Sequence, residues 1–251
     1  MKIEYTKRII AFIDILGFAK IIKDSADEKK KRGAVKKLSF IYDIFQTVNL
    51  SNSEITQFSD SIVISIPHDE KDGAFHFILA LQHLIFELAA EKILCRGGIS
   101  IGELYHKGNT ILGPALVEAY MMESKIANYP RVIVGPNIIR IAKTYKGEQN
   151  SNGDIDSVFK RILGYDSDGY YYVDYLDIAE EFDVPHEYPI YLDTICTIAK
   201  EGINNSDVTI RAKFIWLALK YNAWIIQIDN NGYSLVKTEH LFIPGITDRE
   251  K

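Results

Sequence analysis

From Ile9 to Ile13 the chain reads IIAFI, an apolar run without alternation, which predicts a strand covered on both faces and ended by an acid, Asp14. The next segment, to Asn49, carries a helical rhythm broken by the charged stretch Asp27 to Arg32, so one or two helices are expected. In Glu54 to Pro67 two β-rich runs meet at Ser59-Asp60, a tight hairpin with a weaker turn signal than Asn-Gly. Gly73 to Lys92 is apolar nearly all round, as a helix buried against a sheet is. Ile93 to Tyr105 and Lys107 to Leu112 read as strands, Pro114 to Asn128 as a helix, and Arg131 to Val134 as a further strand. This order predicts an α+β fold built on a ferredoxin-like sheet with extra strands, helices on one face and hairpins extending an edge.

The pattern changes after Lys146. GEQNSNGD is polar and turn-rich, an exposed loop and a module boundary. The expected division is a catalytic domain at 1–146 and an α-rich C-terminal extension at 147–251, of mixed helices and short strands packed on the core. The extension holds an aromatic run from Gly169 to Tyr175, helices near Tyr188 to Gly202 and Val208 to Tyr221, and a partly extended stretch from Ala223 to Phe242.

Composition narrows the partners. The 251 residues are 47% hydrophobic and 25% charged, an ordinary globular balance, and 29 Lys+Arg against 34 Asp+Glu leave a net charge of −5. That charge gives no general attraction to nucleic acid or anionic lipid, while a local basic pocket for a small phosphate ligand stays open. No stretch reaches the roughly 18 uninterrupted apolar residues of a membrane span, and the N-terminus has no signal-peptide pattern, so a cytoplasmic location is expected. Cys95 and Cys196 stand outside any CxxC or Cys/His cluster and read as reduced, buried thiols. His76 and His83, seven apart inside the apolar helix, read as helix histidines, because metal pairs favour a spacing of four.

Two aspartates carry candidate chemistry. Asp14 ends the apolar strand and Asp60 occupies the hairpin tip; in a ferredoxin-like sheet those two ends can lie side by side. A carboxylate at the mouth of a buried strand must be hydrogen-bonded, paired or metal-bound, and two together without a cation force one to protonate. A divalent ion such as Mg²⁺ or Mn²⁺, sharing its oxygens with substrate phosphates, resolves the repulsion; two structural aspartates capping turns are the alternative.

FIDILGF (Phe12 to Phe18), FSDS (Phe58 to Ser61) and RGGISIGELY (Arg96 to Tyr105) resemble the catalytic core of the class III nucleotidyl cyclases over about residues 7 to 138. The resemblance implies a pair of Mg²⁺ or Mn²⁺ ions held by Asp14, the Ile15 carbonyl and Asp60, with the Leu16, Gly17 and Phe18 amides cradling a triphosphate as a nest does. It implies a homodimer with interfacial active sites. It places the two base-reading positions at Thr56 and Thr110, where the residues that read a purine in adenylate and guanylate cyclases are missing. It puts the family's ribose-orienting Asn at Val117 and its transition-state Arg at Met121, neither able to hydrogen-bond a phosphate. Arg131 matches the family cation on the terminal phosphates and can grip them bidentately; Lys107 and Lys125 read as surface lysines.

RGGISIGELYHKGNTILGPALVEAYMMES, with the later DGYYYVDYL, is similar to the pyrimidine cyclases of bacterial antiphage signalling. The expected activity is therefore conversion of UTP or CTP to the 3′,5′-cyclic monophosphate and pyrophosphate, a second messenger for a separate cyclic-nucleotide-responsive effector. A divergent purine cyclase, a degenerate nucleotide-binding module and a polymerase palm use parts of the same constellation; the acidic net charge weighs against the palm.

Overall fold

A computed structural model describes residues 2–178, 187–230 and 242–246. Two compact units divide at Asp174/Tyr175. In the first, strand β1 (Thr6–Ile15) leads through helices α1 (Phe18–Ser25) and α2 (Lys31–Thr47) to a hairpin of β2 (Glu54–Phe58) and β3 (Ser61–Pro67), then helix α3 (Gly73–Ala90) and strand β4 (Cys95–Lys107). The four strands stand in the order β2-β3-β1-β4, and every neighbouring pair is antiparallel. This is the ferredoxin-like arrangement expected from the element order. Strand β5 (Thr110–Leu112) folds back on β4, β6 (Val132–Val134) adds in parallel, and β8 (Tyr171–Val173) and β7 (Leu163–Tyr165) complete the sheet among the described residues.

Helices cover both faces of this sheet, not one. On β1, Ile10 and Phe12 share a face with Val63 and Leu104, and helix α4 (Pro114–Met121) packs there through Ala115 and Ala119. The alternate residues Ile9, Ala11 and Ile13 are fully buried on the other face, where α3 sets Gly73 against Ile66. The α4 face needs small residues: a Cβ on Gly98 would stand 2.5 Å from the Met122 Cβ and 2.6 Å from the Ala119 carbonyl. Helix α3 is the described helix long and apolar enough to cross a membrane, but eleven of its residues are buried inside the protein.

The boundary expected at 146 falls instead at 174. After the loop at 147–150, helix α6 (Asn152–Ile162) begins at a capping box in which Ser151 and Asp154 exchange bonds of 2.7 and 3.1 Å, following α5 (Ile138–Thr144). Strands β7 and β8 then pair onto β6, so 147–174 belongs to the sheet.

The second unit pairs α7 (Glu187–Gly202) with α8 (Val208–Asn230), where Gly202 admits the Phe214 ring. The Tyr188 and Tyr191 hydroxyls donate to the Leu176 and Tyr175 carbonyls at 2.7 and 2.6 Å. Buried Asn222 donates to the Ile243 and Ile246 carbonyls at 2.9 and 2.7 Å and accepts from the Ile243 amide. The stretch expected to be extended is helical through Asn230, because buried Tyr221, Ile225 and Ile228 recur at helical spacing; residues 231–241 lie outside the described residues.

Candidate active site

Asp14 stands at the end of β1 with Ser61 of β3 opposite on one side and Arg96 of β4 on the other. Its Oδ1 accepts a long bond of 3.5 Å from the Ser61 hydroxyl, and its Oδ2 lies 3.5 Å from Arg96 Nε. The hairpin turns at Ser59-Asp60 as expected, with Ser59 at φ +55, and the Ile15 amide donates to the Asp60 carbonyl at 2.9 Å. Burial first, and then the adjacent Asp60 carboxylate, push the Asp14 carboxyl above its ordinary value; Arg96 offsets this only in part. The two acids are thus brought together and short of positive charge.

Those donors fit a divalent ion in kind. Two half-buried carboxylates beside a strand-end backbone are hard oxygen ligands. Among the described residues no group of three or more His, Cys, Asp or Glu side chains gathers, so such an ion would complete its shell from main-chain and substrate oxygens.

The main chain beyond Asp14 differs in detail from expectation. The Leu16 amide donates to the Leu94 carbonyl at 2.8 Å and is not available to a phosphate. Gly17 adopts φ +76, a left-handed conformation that glycine takes without strain, and starts α1. The first bonds to the Gly17 carbonyl come from Lys20 and Ile21 at 3.0 and 3.3 Å, which leaves the Gly17, Phe18 and Ala19 amides ahead of the helical ladder.

Thr56 is not placed to read a base. It is buried; its hydroxyl donates to the Gly108 carbonyl at 2.6 Å and lies 2.9 Å from His106 Nε2. The Ser65 hydroxyl lies 2.8 Å from His106 Nδ1 and accepts from Arg8 Nε at 2.9 Å. With Thr56 already donating, this network assigns the His106 proton to Nε2 and leaves Nδ1 as acceptor. The relay pins the β4–β5 turn to β2. Burial pushes the His106 imidazole down to about 4. A depressed imidazole leaves stability intact above the ordinary value of 6.5, and stability is lost as pH falls from there toward about 4, because only the unfolded chain takes up the proton. The melting temperature of the wild type should fall over that window, and a His106→Asn variant should lack that component.

Thr110 pairs with Lys107 across the β4–β5 hairpin and is half-buried. Val117 and Met121 point outward on α4, 61% and 45% exposed, and Lys107 and Lys125 are exposed as expected. Arg131 contradicts its expected role. Its side chain is buried, Nη1 lies 2.6 Å from Asp166 Oδ2, and Nη2 pairs with Asp168. The guanidinium that was to grip phosphate is committed to the β7–β8 turn.

Two residues were missed. Arg96 brings a cation beside Asp14: it faces Asp14 across strands, and its Nη2 lies 2.7 Å from Glu123 Oε1. Glu123 is buried on the π-helical turn Met122–Ile126 that follows α4. Its signal was legible, since Ala115, Ala119 and Glu123 recur every four residues and put an acid on the inward stripe of a helix. Arg96 becomes visible only once β4 is registered on β1.

No protein-family model matches the chain, and no curated protein sequence does. Solved structures do. A class III adenylyl cyclase-like ATP-binding protein from Pseudomonas aeruginosa is 14% identical, TM-score 0.46, over 70% of this chain and 40% of that one. An adenylate/guanylate cyclase/hydrolase from Silicibacter pomeroyi is 16% identical, TM-score 0.41, over 68% and 98%. The guanylate cyclase domain of RhGC from Catenaria anguillulae, in complex with GTP, is 13% identical, TM-score 0.42, over 68% and 97%. At such identities the chemistry has to be read from this chain's own residues.

Proposed function

We propose that the chain is a nucleotidyl cyclase of the class III kind, acting on a pyrimidine nucleoside triphosphate. The observation that carries this is the meeting of Asp14 and Asp60 at one end of the sheet, with Arg96 beside them and the glycine-led start of α1 following directly. A divalent ion, Mg²⁺ or Mn²⁺, held by Asp14 and Asp60 with help from the Ile15 carbonyl, would supply Lewis-acid charge to the sugar hydroxyl and the phosphates. Arg96 offers a guanidinium to phosphate oxygens, and the Gly17 and Phe18 amides offer donors at a helix start. The 3′-hydroxyl loses its proton to solvent water and attacks the α-phosphorus in line; the bond from the α-phosphorus to the α–β bridging oxygen breaks and pyrophosphate leaves with that oxygen.

Pyrimidine specificity is supported by what the base-reading positions hold. Thr56, at the position of a purine-reading lysine or glutamate, has neither the charge nor the length of either and is spent on His106 and Gly108. The resemblance to antiphage cyclases extends the proposal to a product read by a separate cyclic-nucleotide-responsive effector. Incubating the chain with all four triphosphates and Mn²⁺, followed by mass spectrometry, tests the reading. Cyclic UMP or cyclic CMP with pyrophosphate is expected; cyclic AMP or GMP alone would return it to the purine cyclases, and no product would leave a binding module.

A homodimer is part of the proposal. Val117, Tyr120 and Met121 form an exposed apolar face on α4, and Tyr120 packs edge-on against Phe12, which meets exposed Phe58 next to the turn carrying Asp60. An apolar surface running up to the carboxylates suits a second copy that closes the site. Val117→Asp should shift the chain to monomer by light scattering and lower activity at least about tenfold through a buried unpaired charge.

A further inference from the structure

Arg96 is shared unequally. Its Nη2 lies 2.7 Å from Glu123, while its Nε lies 3.5 Å from Asp14. Glu123 is almost fully buried, and the π-helical turn that carries it lies tight against β4: a Cβ on Gly98 would come within 3.3 Å of the Glu123 amide. A full charge at 2.7 Å on an almost fully buried side chain attracts the guanidinium more strongly than a half-buried acid at 3.5 Å, because Coulomb attraction grows with proximity and with exclusion of water. The guanidinium is thereby drawn to the α4 side of the site, although the Asp14 and Asp60 carboxylates together carry more negative charge.

We propose that Glu123 is a positioning residue that holds Arg96 back from the Asp14–Asp60 pair and so keeps that pair open to a divalent cation. This rests on the metal-binding reading of those two aspartates. Among the described residues the ion pairs of Arg96 are with Glu123 and Asp14, so without the Glu123 charge the guanidinium is left to the carboxylate pair. A guanidinium lying on both carboxylates neutralises them and competes directly with the ion. Glu123 acts through Arg96, so its effect on cation binding exists only when Arg96 is present.

The full-length chain is titrated with Mn²⁺ alone, and free ion is read by electron paramagnetic resonance. Glu123→Gln keeps the shape and should weaken Mn²⁺ binding about tenfold. Arg96→Met should bind at least as tightly as wild type, and Arg96→Met/Glu123→Gln should match Arg96→Met. An unchanged Mn²⁺ affinity in Glu123→Gln overturns the proposal, as does an equal loss in the double variant, which would make Glu123 a ligand or a through-space charge. If Glu123→Gln fails to fold, by its thermal transition, Glu123→Asp takes its place, with a smaller loss that also vanishes in the Arg96→Met background. Asp14→Asn is the separate control. If it leaves Mn²⁺ binding intact, the metal reading itself fails, whatever Glu123 does.

Discussion

Asp14→Asn and Asp60→Asn should each lower turnover by at least about a thousandfold, while the metal-free chain melts no lower than wild type. The activity loss follows from removing half of the anionic oxygens that bring positive charge to the reacting phosphate. The stability result follows from the direction of the Asp14 shift. Its carboxyl is raised above 3.8 in the fold, first by burial and then by Asp60. The fold therefore prefers the protonated acid, and the stability linked to Asp14 is greatest below 3.8 and is lost as pH rises through the raised value. Above that raised value the Asp14 charge, desolvated and next to Asp60, is a liability to the empty fold. Asparagine at 14 keeps one acceptor, for either Ser61 or Arg96, and removes the like charge, and since both of those bonds are long at 3.5 Å a rise in melting temperature of about 1–3 °C is expected. A site residue whose removal stabilises the protein is what an arrangement selected for binding a cation leaves behind. Turnover by either variant within tenfold of wild type would end the metal reading, and a sharp drop in melting temperature would recast the two acids as structural caps.

Much of this arrangement was legible in the residue order because local signals and the fold agree there. The run IIAFI has no alternation since both its faces are covered, by α4 on one side and α3 on the other. The hairpin turned where Ser59-Asp60 suggested, and the strand order then put Asp60 beside Asp14. Long-range pairing was not legible. Arg96 is one basic residue among 29 until the register sets it opposite Asp14. Thr56 has the hydroxyl of a base reader, and only the folding-over of β4 brings His106 and Gly108 to occupy it. The capping box at Ser151 and Asp154 could have announced α6 inside a segment that reads as loop. The α8 extension was missed because IIQI is equally good as strand until the helical spacing from Tyr221 is counted.

The same difficulty explains Arg131, for which the expected effect of substitution changes from catalysis to folding. An arginine just before a short β strand next to the site is a reasonable phosphate ligand on sequence grounds. In the structure it is 1% exposed and joins Asp166, itself buried, and Asp168 to the start of β6, while the Tyr129 ring lies 5.4 Å below its guanidinium. Arg131→Met removes the positive charge and leaves the Asp166 carboxylate in a place water reaches poorly. Breaking a buried pair from one side costs about 3–5 kcal/mol, and for a chain of this size each kcal/mol is worth about 2–4 °C. The melting temperature should therefore fall by roughly 6–20 °C. Below that transition the folded fraction should keep a near-normal KM for its triphosphate, because Arg131 does not face the substrate. Replacing Asp166 and Asp168 by Asn together with Arg131→Met should recover part of the loss, since no buried charge is then left unpaired. A large rise in KM without a change in melting temperature would return Arg131 to the phosphate and show that its partners release it when substrate binds.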